Sequence, residues 1–299
     1  MSNYLKSKLN NCSLKNIYLV ILLPIVLYSV YKNGYIPYNK DLCSIFTMFK
    51  PLILFIISII LGYIFDYIYY KLFINDPNYK LRLNSSYTTY YSALFSLILP
   101  VNINYLLFIF FLLIYLLAIS SFRNTKLNIL AVIRLVLVLS LIFLNVYSYN
   151  NLYENSIVTN YTTLDVFLGH SISSIGSAST FIIILTYLFL LVVPTYKKNI
   201  PLEIILSYFI MILISSFFGF SIKEEIKLML VNEIFFASVF VATLPNYSPY
   251  TLRKELLYSI LIGVLGFVFC KLYLHEGIYI SILISNLIFI IIEKLSNKK

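Results

Sequence analysis

Three ionisable side chains fall inside long apolar runs: Asp66 in PLILFIISIILGYIFDYIYY, Arg134 in NILAVIRLVLVLSLIFL and Glu233 in LMLVNEIFFASVFVATLP. A charge in such a run faces protein or water rather than lipid, and it marks either a structural pair or a route for ions. Asp66 lies near the end of its run, where it can brace the structure or reach towards water. Arg134 sits one to two turns inside its helix and can bind a phosphate or a nearby carboxylate. Glu233 is the best placed to handle a cation or a proton, unless VNEI lies at the membrane interface. His170, in the longest polar stretch, can titrate near neutral pH; the alternative is an ordinary solvated histidine. Cys12, Cys43 and Cys270 are far apart and form no CxxC pair, which argues against a cysteine-held cluster or zinc site within the chain.

The elements that carry these residues are membrane helices. Of 299 residues, 61% are hydrophobic and 11% charged, more apolar surface than a soluble domain can hide. The chain therefore reads as an all-α integral membrane protein. Hydropathy places ten transmembrane helices at about 16–31, 51–70, 87–99, 104–121, 128–147, 177–194, 202–220, 228–244, 256–272 and 277–294. The third has 13 residues. At ~1.5 Å per residue it spans about 20 Å, less than the ~30 Å hydrocarbon core, and reads as a broken or shortened span buried by its neighbours. The first apolar run lacks a cleavage pattern and reads as a retained span.

The net charge of +10 is scattered over short loops, which fits anchoring and orientation rather than nucleic-acid binding. With the N-terminus in the cytoplasm, 15 Lys and Arg fall inside and 6 outside. That bias predicts a multi-pass protein of the cell membrane with both termini cytoplasmic. The polar segment 148–176 then lies outside, and it contains no Lys or Arg.

The segments YYSALFSLILP (Tyr90–Pro100) and FFASVFVATLP (Phe235–Pro245) align without gaps, and two apolar runs open alike at Pro51 and Pro201. The chain reads as two five-helix repeats, 1–147 and 177–299, joined by the extracytoplasmic loop 148–176. An odd number of spans per half makes the repeats inverted, with functional elements near their shared axis. The alternative is convergence, since apolar helices share letters easily.

A series of motifs, in order, resembles one membrane family. DVFLGHSISSIGSAS (Asp165–Ser179) is similar to a GSIGETS signature, FFASVFVATLPNYSP (Phe235–Pro249) to FGAFFMATDPVTSP, and LLYSILIGVLGFV (Leu256–Val268) to an LIYGILIG run. HEG (His275–Gly277) stands at a PEG, ILISN (Ile282–Asn286) at an ILLMN and NILAVIR (Asn128–Arg134) at an NPAAVGR. The family contains the RnfD component of Rnf-type electron transport complexes and the NqrB component of the sodium-translocating NADH:quinone reductase.

That resemblance implies FMN, joined through its phosphate to a threonine outside the membrane in an S-G-A-T sequence. The matching stretch is SIVTNYTTL (Ser156–Leu164), in which Thr159 stands for the first Ser and Thr162 for the flavin-bearing Thr. The resemblance also gives Arg134 a place near a flavin phosphate, and it leaves a second, non-covalent flavin open. Departures are several. Asn160 and Tyr161 replace small residues, Ser177 replaces the Glu of GETS, Leu244 the Asp of ATDP and Ile129 the Pro of NPA.

The leading reading is a membrane subunit of an Rnf- or Nqr-like complex. It would hold FMN at the outer face, pass electrons between partner subunits and couple that transfer to Na⁺ or H⁺ movement. The alternatives are a cofactor-free transporter or channel on the same inverted repeat, and a structural subunit that has lost its flavin.

Overall fold

A computed structural model describes residues 11–123, 125–143, 161–171, 173–245, 247–249 and 251–296; all regular structure among them is helical. Helix α1 (Asn11–Val30) continues through a π-helical turn, Tyr31–Tyr35, into Ile36–Tyr38. Helix α2 (Lys50–Ile68) starts with Pro51 in its first turn, where the missing N–H has no helical partner to lose, and ends in a second π turn, Tyr69–Phe73. The short α3 (Tyr79–Ser85) leads into α4 (Thr88–Leu97), then α5 (Tyr105–Ser121) and α6 (Ile129–Phe143). Asn104 caps α5 by accepting a hydrogen bond from the Leu106 amide.

The second part of the chain contains α7 (Thr163–Leu168), α8 (Thr180–Leu190), α9 (Asn199–Ser216) and α10 (Ile222–Val231). There follow a single turn, α11 (Ile234–Phe236), that runs into a π turn (Ala237–Val241), and two long helices, α12 (Leu252–Tyr273) and α13 (Gly277–Ser296). A 3₁₀ turn, Leu274–Glu276, joins α12 to α13.

Four helical segments among the described residues are long and apolar enough to cross a membrane: Leu14–Tyr38, Lys50–Phe73, Asn199–Ser216 and Leu252–Tyr273. Tyr105–Ser121, Ile129–Ile142, Thr180–Leu190 and Gly277–Glu293 are apolar but shorter. Val20, Leu27, Ile60, Leu106, Leu188 and Phe189 each leave half or more of their surface exposed, the face that lipid covers.

Two short elements lie at the centre. Every residue of α4 is buried, as is every residue of the Ala237–Val241 π turn. At ten residues α4 is about 15 Å long, shorter even than the sequence predicts, and its neighbours enclose it. Small residues allow that enclosure. A Cβ on Gly62 would stand 3.0 Å from the Ser92 Cβ, so α2 and α4 touch backbone to side chain. Another close approach, between α9 and α12, is at Gly263, where a Cβ would stand 2.8 Å from the Ile204 carbonyl oxygen.

The expected continuous helix 228–244 is interrupted. Helix α10 stops at Val231, Asn232 and Glu233 form a turn, and the chain resumes as α11. Glu233 has φ of 57°, the left-handed region that side chains other than Gly, Asn and Asp rarely adopt. Sequence hydropathy carries straight through this break because the residues on both sides are apolar.

Candidate functional site

The centre is organised from α6. Asn128, just ahead of its first turn, caps the helix: Oδ1 accepts from the Ala131 amide at 3.2 Å. Its Nδ2 donates to the Val241 carbonyl at 3.1 Å. Asn286, on α13, accepts from the Asn128 amide at 2.9 Å and donates to the Tyr247 and Lys126 carbonyls at 2.8 and 2.9 Å. Two buried asparagines thus hold the end of the π turn and the loop that follows it.

Six residues along α6, Arg134 is completely buried. Its Nη1 donates to the Ile98 carbonyl at the end of α4. Its Nε and Nη2 donate to the two carboxylate oxygens of Glu276, at 3.0 and 2.6 Å, a bidentate fork. The guanidinium also lies 5.4 Å from the Tyr279 ring centroid. The Ile175 and Gly176 amides donate to the Leu99 and Leu97 carbonyls at 3.0 and 2.7 Å. The carbonyls that a helix end leaves unpaired are therefore satisfied within the protein.

Glu233 completes the cluster from the helix break. Its Oε2 accepts a hydrogen bond from the Tyr279 hydroxyl at 2.8 Å. Its Oε1 has no hydrogen-bond partner among the described residues and stands 4.0 Å from Arg134 Nη2. Both side chains are fully buried. With both carboxylates ionised, the Arg134, Glu233 and Glu276 group carries one net negative charge. A monovalent cation or a proton is what such a group can accept.

The loop candidate lies elsewhere. Thr162 is the N-cap of α7 and forms a capping box with Asp165. Its Oγ1 donates to Asp165 Oδ2 at 2.7 Å, its amide donates to the same oxygen at 2.9 Å, and the Asp165 amide donates back to Oγ1 at 3.2 Å. These hydrogen bonds from Thr162, with a smaller contribution from His170, hold the Asp165 carboxyl below the usual carboxylate range. His170 Nδ1 lies 3.5 Å from Asp165 Oδ1, so this histidine belongs to the capping group.

Helix α7 is anchored on two sides. Val166 packs on Val231 and Leu230 at the end of α10. From α1, the Tyr28 hydroxyl donates to the Leu168 carbonyl, and Lys32 Nζ donates to Ser173 Oγ and the Ala178 carbonyl at 2.7 and 2.9 Å. The Thr162 segment therefore rests on the helix that ends at Glu233. Gly169, with φ of 101°, closes α7 in the left-handed conformation.

The structure brings Arg134 and Glu233 together and leaves Thr162 apart from them, on the surface. Arg134 takes the carboxylate partner that the sequence allowed, and its fork is occupied by Glu276. Thr159 lies outside the described residues. Asp66 is buried beside Ser86, Thr88 and Arg123 in a cavity of about 240 Å³. Ser177, in place of an acid, shares a 2.9 Å hydrogen bond with Ser174.

Glu276 and Tyr279 do not stand out in the sequence. A signal for the first exists. A buried arginine requires a buried acid, and Glu276 stands between two apolar runs. Among the described residues no group of three or more His, Cys, Asp or Glu is arranged to hold a metal ion.

A search of curated proteins finds no match to the chain. A family profile does, over residues 2–299. Together with the apolar helices, that match identifies the chain as a member of the NQR2, RnfD, RnfE family, a membrane subunit of Rnf- and Nqr-type complexes.

Proposed function

We propose that the chain carries FMN on Thr162 at the extracytoplasmic face and passes electrons between partner subunits, with Glu233 on the coupled path of Na⁺ or H⁺. The observation that carries this reading is the position of Thr162. It is exposed, on a surface segment braced by Tyr28 and Lys32 and seated on the helix that leads to the buried charges. The Lys and Arg asymmetry supports placing this segment outside and both termini in the cytoplasm. Two short, buried elements ending near Pro100 and Pro245, and two long helices with Pro51 and Pro201 in their first turns, support an inverted-repeat organisation.

The residues present fit the flavin ester. A phosphoester needs a reachable hydroxyl, and Thr162 supplies one. Asp165 Oδ2, 2.7 Å from that hydroxyl, is placed to take its proton. When bound, FMN supplies chemistry in steps of one or two electrons. Lys32 and Tyr28 fix the segment to α1, and Val166 fixes it to α10. At the centre, Tyr279 orients one oxygen of Glu233 and leaves the other, 4.0 Å from Arg134 Nη2, for a cation or a proton.

The second reading is a flavin-free transporter, channel or structural subunit on the same scaffold. It is favoured by the occupied Thr162 hydroxyl and by Tyr161, which flanks it where the family has a small residue. The test is the full chain expressed with a flavin transferase of proven activity and viewed under ultraviolet light on a denaturing gel. A fluorescent band kept in Thr163→Val and lost in Thr162→Val is the expected result. No band in the wild type refutes flavin attachment, and a band retained in Thr162→Val refutes the residue.

A further inference from the structure

The cavity of about 240 Å³ lies between the ends of α2 and α5 and the start of α4, and neither the Arg134 cluster nor Thr162 contributes to its lining. Its one carboxylate is Asp66, 4% exposed. The Ser86 and Thr88 hydroxyls, 2.8 Å apart, hydrogen-bond that carboxylate. An ionised carboxylate can accept about four hydrogen bonds, so these two leave it room for further donors. Among the described residues no ion pair reaches it. Lys15 and Arg123 act on it only at longer range, and both are engaged elsewhere. Lys15 Nζ donates to the Leu83 carbonyl at 3.2 Å, and the Arg123 guanidinium lies 5.2 Å from the Tyr70 ring centroid. A buried carboxylate without a cation is unfavourable, and a donor that brings a positive charge relieves it.

The remaining walls are aromatic. Tyr87, Tyr91 and Tyr247 follow one another with ring centroids 6.4 and 6.2 Å apart, and Phe65 stacks on Tyr69 at 6.3 Å. Aromatic faces around a carboxylate favour a cation of ammonium size. The opposite charge stands at the rim, where Arg123 is exposed. The cavity therefore runs from a buried negative charge to an exposed positive one. Asp66 is seven residues from the end of the spanning segment Lys50–Phe73, about 10 Å at ~1.5 Å per residue, which is near the depth of lipid head groups. Exposed apolar side chains lead away from it on the same helices, Ile64 and Ile68 on α2 and Leu113 and Leu117 on α5.

We propose that this cavity binds the head group of a phosphoethanolamine lipid, with the primary ammonium on Asp66 among the tyrosines and the phosphate at Arg123. The order of charges matches: in such a lipid the ammonium is the tip, the phosphate follows, and the acyl chains come last, along the exposed faces of α2 and α5. A primary ammonium brings three N–H donors for the carboxylate oxygens. A trimethylammonium brings none, and a head group with a phosphate alone puts no cation on Asp66. A guanidinium holds a phosphate by paired hydrogen bonds. The inference needs only the membrane placement of α2 and α5, and it stands whether or not Thr162 carries a flavin.

The test is native mass spectrometry of the full chain released from detergent micelles that contain phosphatidylethanolamine, phosphatidylcholine or phosphatidylglycerol at equal mole fraction. The wild type should retain one phosphatidylethanolamine, with half-saturation about tenfold below that of the other two lipids. Asp66→Asn should lose this preference. Arg123→Gln changes an exposed residue that the fold does not depend on, and it should weaken phosphatidylethanolamine about tenfold. Arg82→Gln removes a charge outside the lining and should leave binding unchanged. Equal retention of the three lipids by the wild type overturns the proposal, as does a preference that survives in Asp66→Asn or in Arg123→Gln. An equal loss in Arg82→Gln marks a diffuse basic surface and overturns the site. Displacement of the lipid by water-soluble glycerophosphoethanolamine at the same concentration overturns the lipid as the source of the head group.

Discussion

The Arg134 cluster makes a quantitative prediction about Glu276. The perturbation is Glu276→Gln, which keeps the shape and removes the charge that Arg134 grips with two hydrogen bonds. Removing one partner from a buried ion pair destabilises a protein by about 3–5 kcal/mol. Here a second acid stands ready. Glu233 Oε1 is 4.0 Å from Nη2, where two unit charges interact by about 4 kcal/mol at an effective dielectric constant of about 20. A small rotation of Glu233 would replace part of the lost pairing, at the expense of its hydrogen bond from Tyr279. The single change should therefore fall at the low end, about 3 kcal/mol, and Glu233→Gln alone should fall well below it. The double change leaves Arg134 buried with no carboxylate from this cluster. It should exceed the sum of the singles by about 1–3 kcal/mol, within the range measured for coupled neighbours. Unfolding in mixed micelles with increasing dodecyl sulfate, followed by helical circular dichroism, measures all three. A neutral Glu276→Gln, or strict additivity in the double variant, would refute the shared-arginine argument.

Three further outcomes are expected. Thr162→Ala removes the capping box, worth about 1 kcal/mol locally, so hydrogen exchange should accelerate in α7 while the midpoint of global unfolding stays put. Gly263→Ala forces a methyl group against the Ile204 carbonyl and should cost about 1–3 kcal/mol of stability, read as a lower unfolding midpoint; the same midpoint as wild type would contradict the α9–α12 contact. Burial pushes the Lys197 ammonium down from its usual 10.5 to about 8. The unfolded chain then binds more protons than the folded one between those two values, so this residue penalises folding fully below pH 8 and not at all above pH 10.5. Tm of the wild type relative to Lys197→Met should accordingly rise across that window, and a flat or falling difference would contradict it.

Much of the fold is written in local hydropathy. The long helices, the shortness of α4 and the prolines that open α2 and α9 are all visible because each depends on neighbours in sequence. The break at Asn232 and Glu233 is not, because a polar pair between apolar runs reads equally well as an interface, and a left-handed glutamate has no sequence mark. The site divides the same way. Arg134 and Glu233 stand out as charges in apolar runs, whereas Glu276 lies in a junction and acquires meaning only from Arg134, 142 residues away. Tyr279 looks like one of 28 tyrosines until its hydroxyl is seen on Glu233. Thr162 is marked by its place in the resembling motif, and its role as a helix cap follows from Asp165 three residues on.

The fork between Arg134 and Glu276 also sets a timetable for biogenesis. Helix α6 leaves the ribosome with its guanidinium, and the acid that neutralises it is 142 residues behind. At about 5–20 residues per second that is a delay of roughly 7–30 seconds. Throughout it, a bare cation on an apolar segment resists release into lipid. The bidentate fork therefore forms only once the last hairpin has arrived.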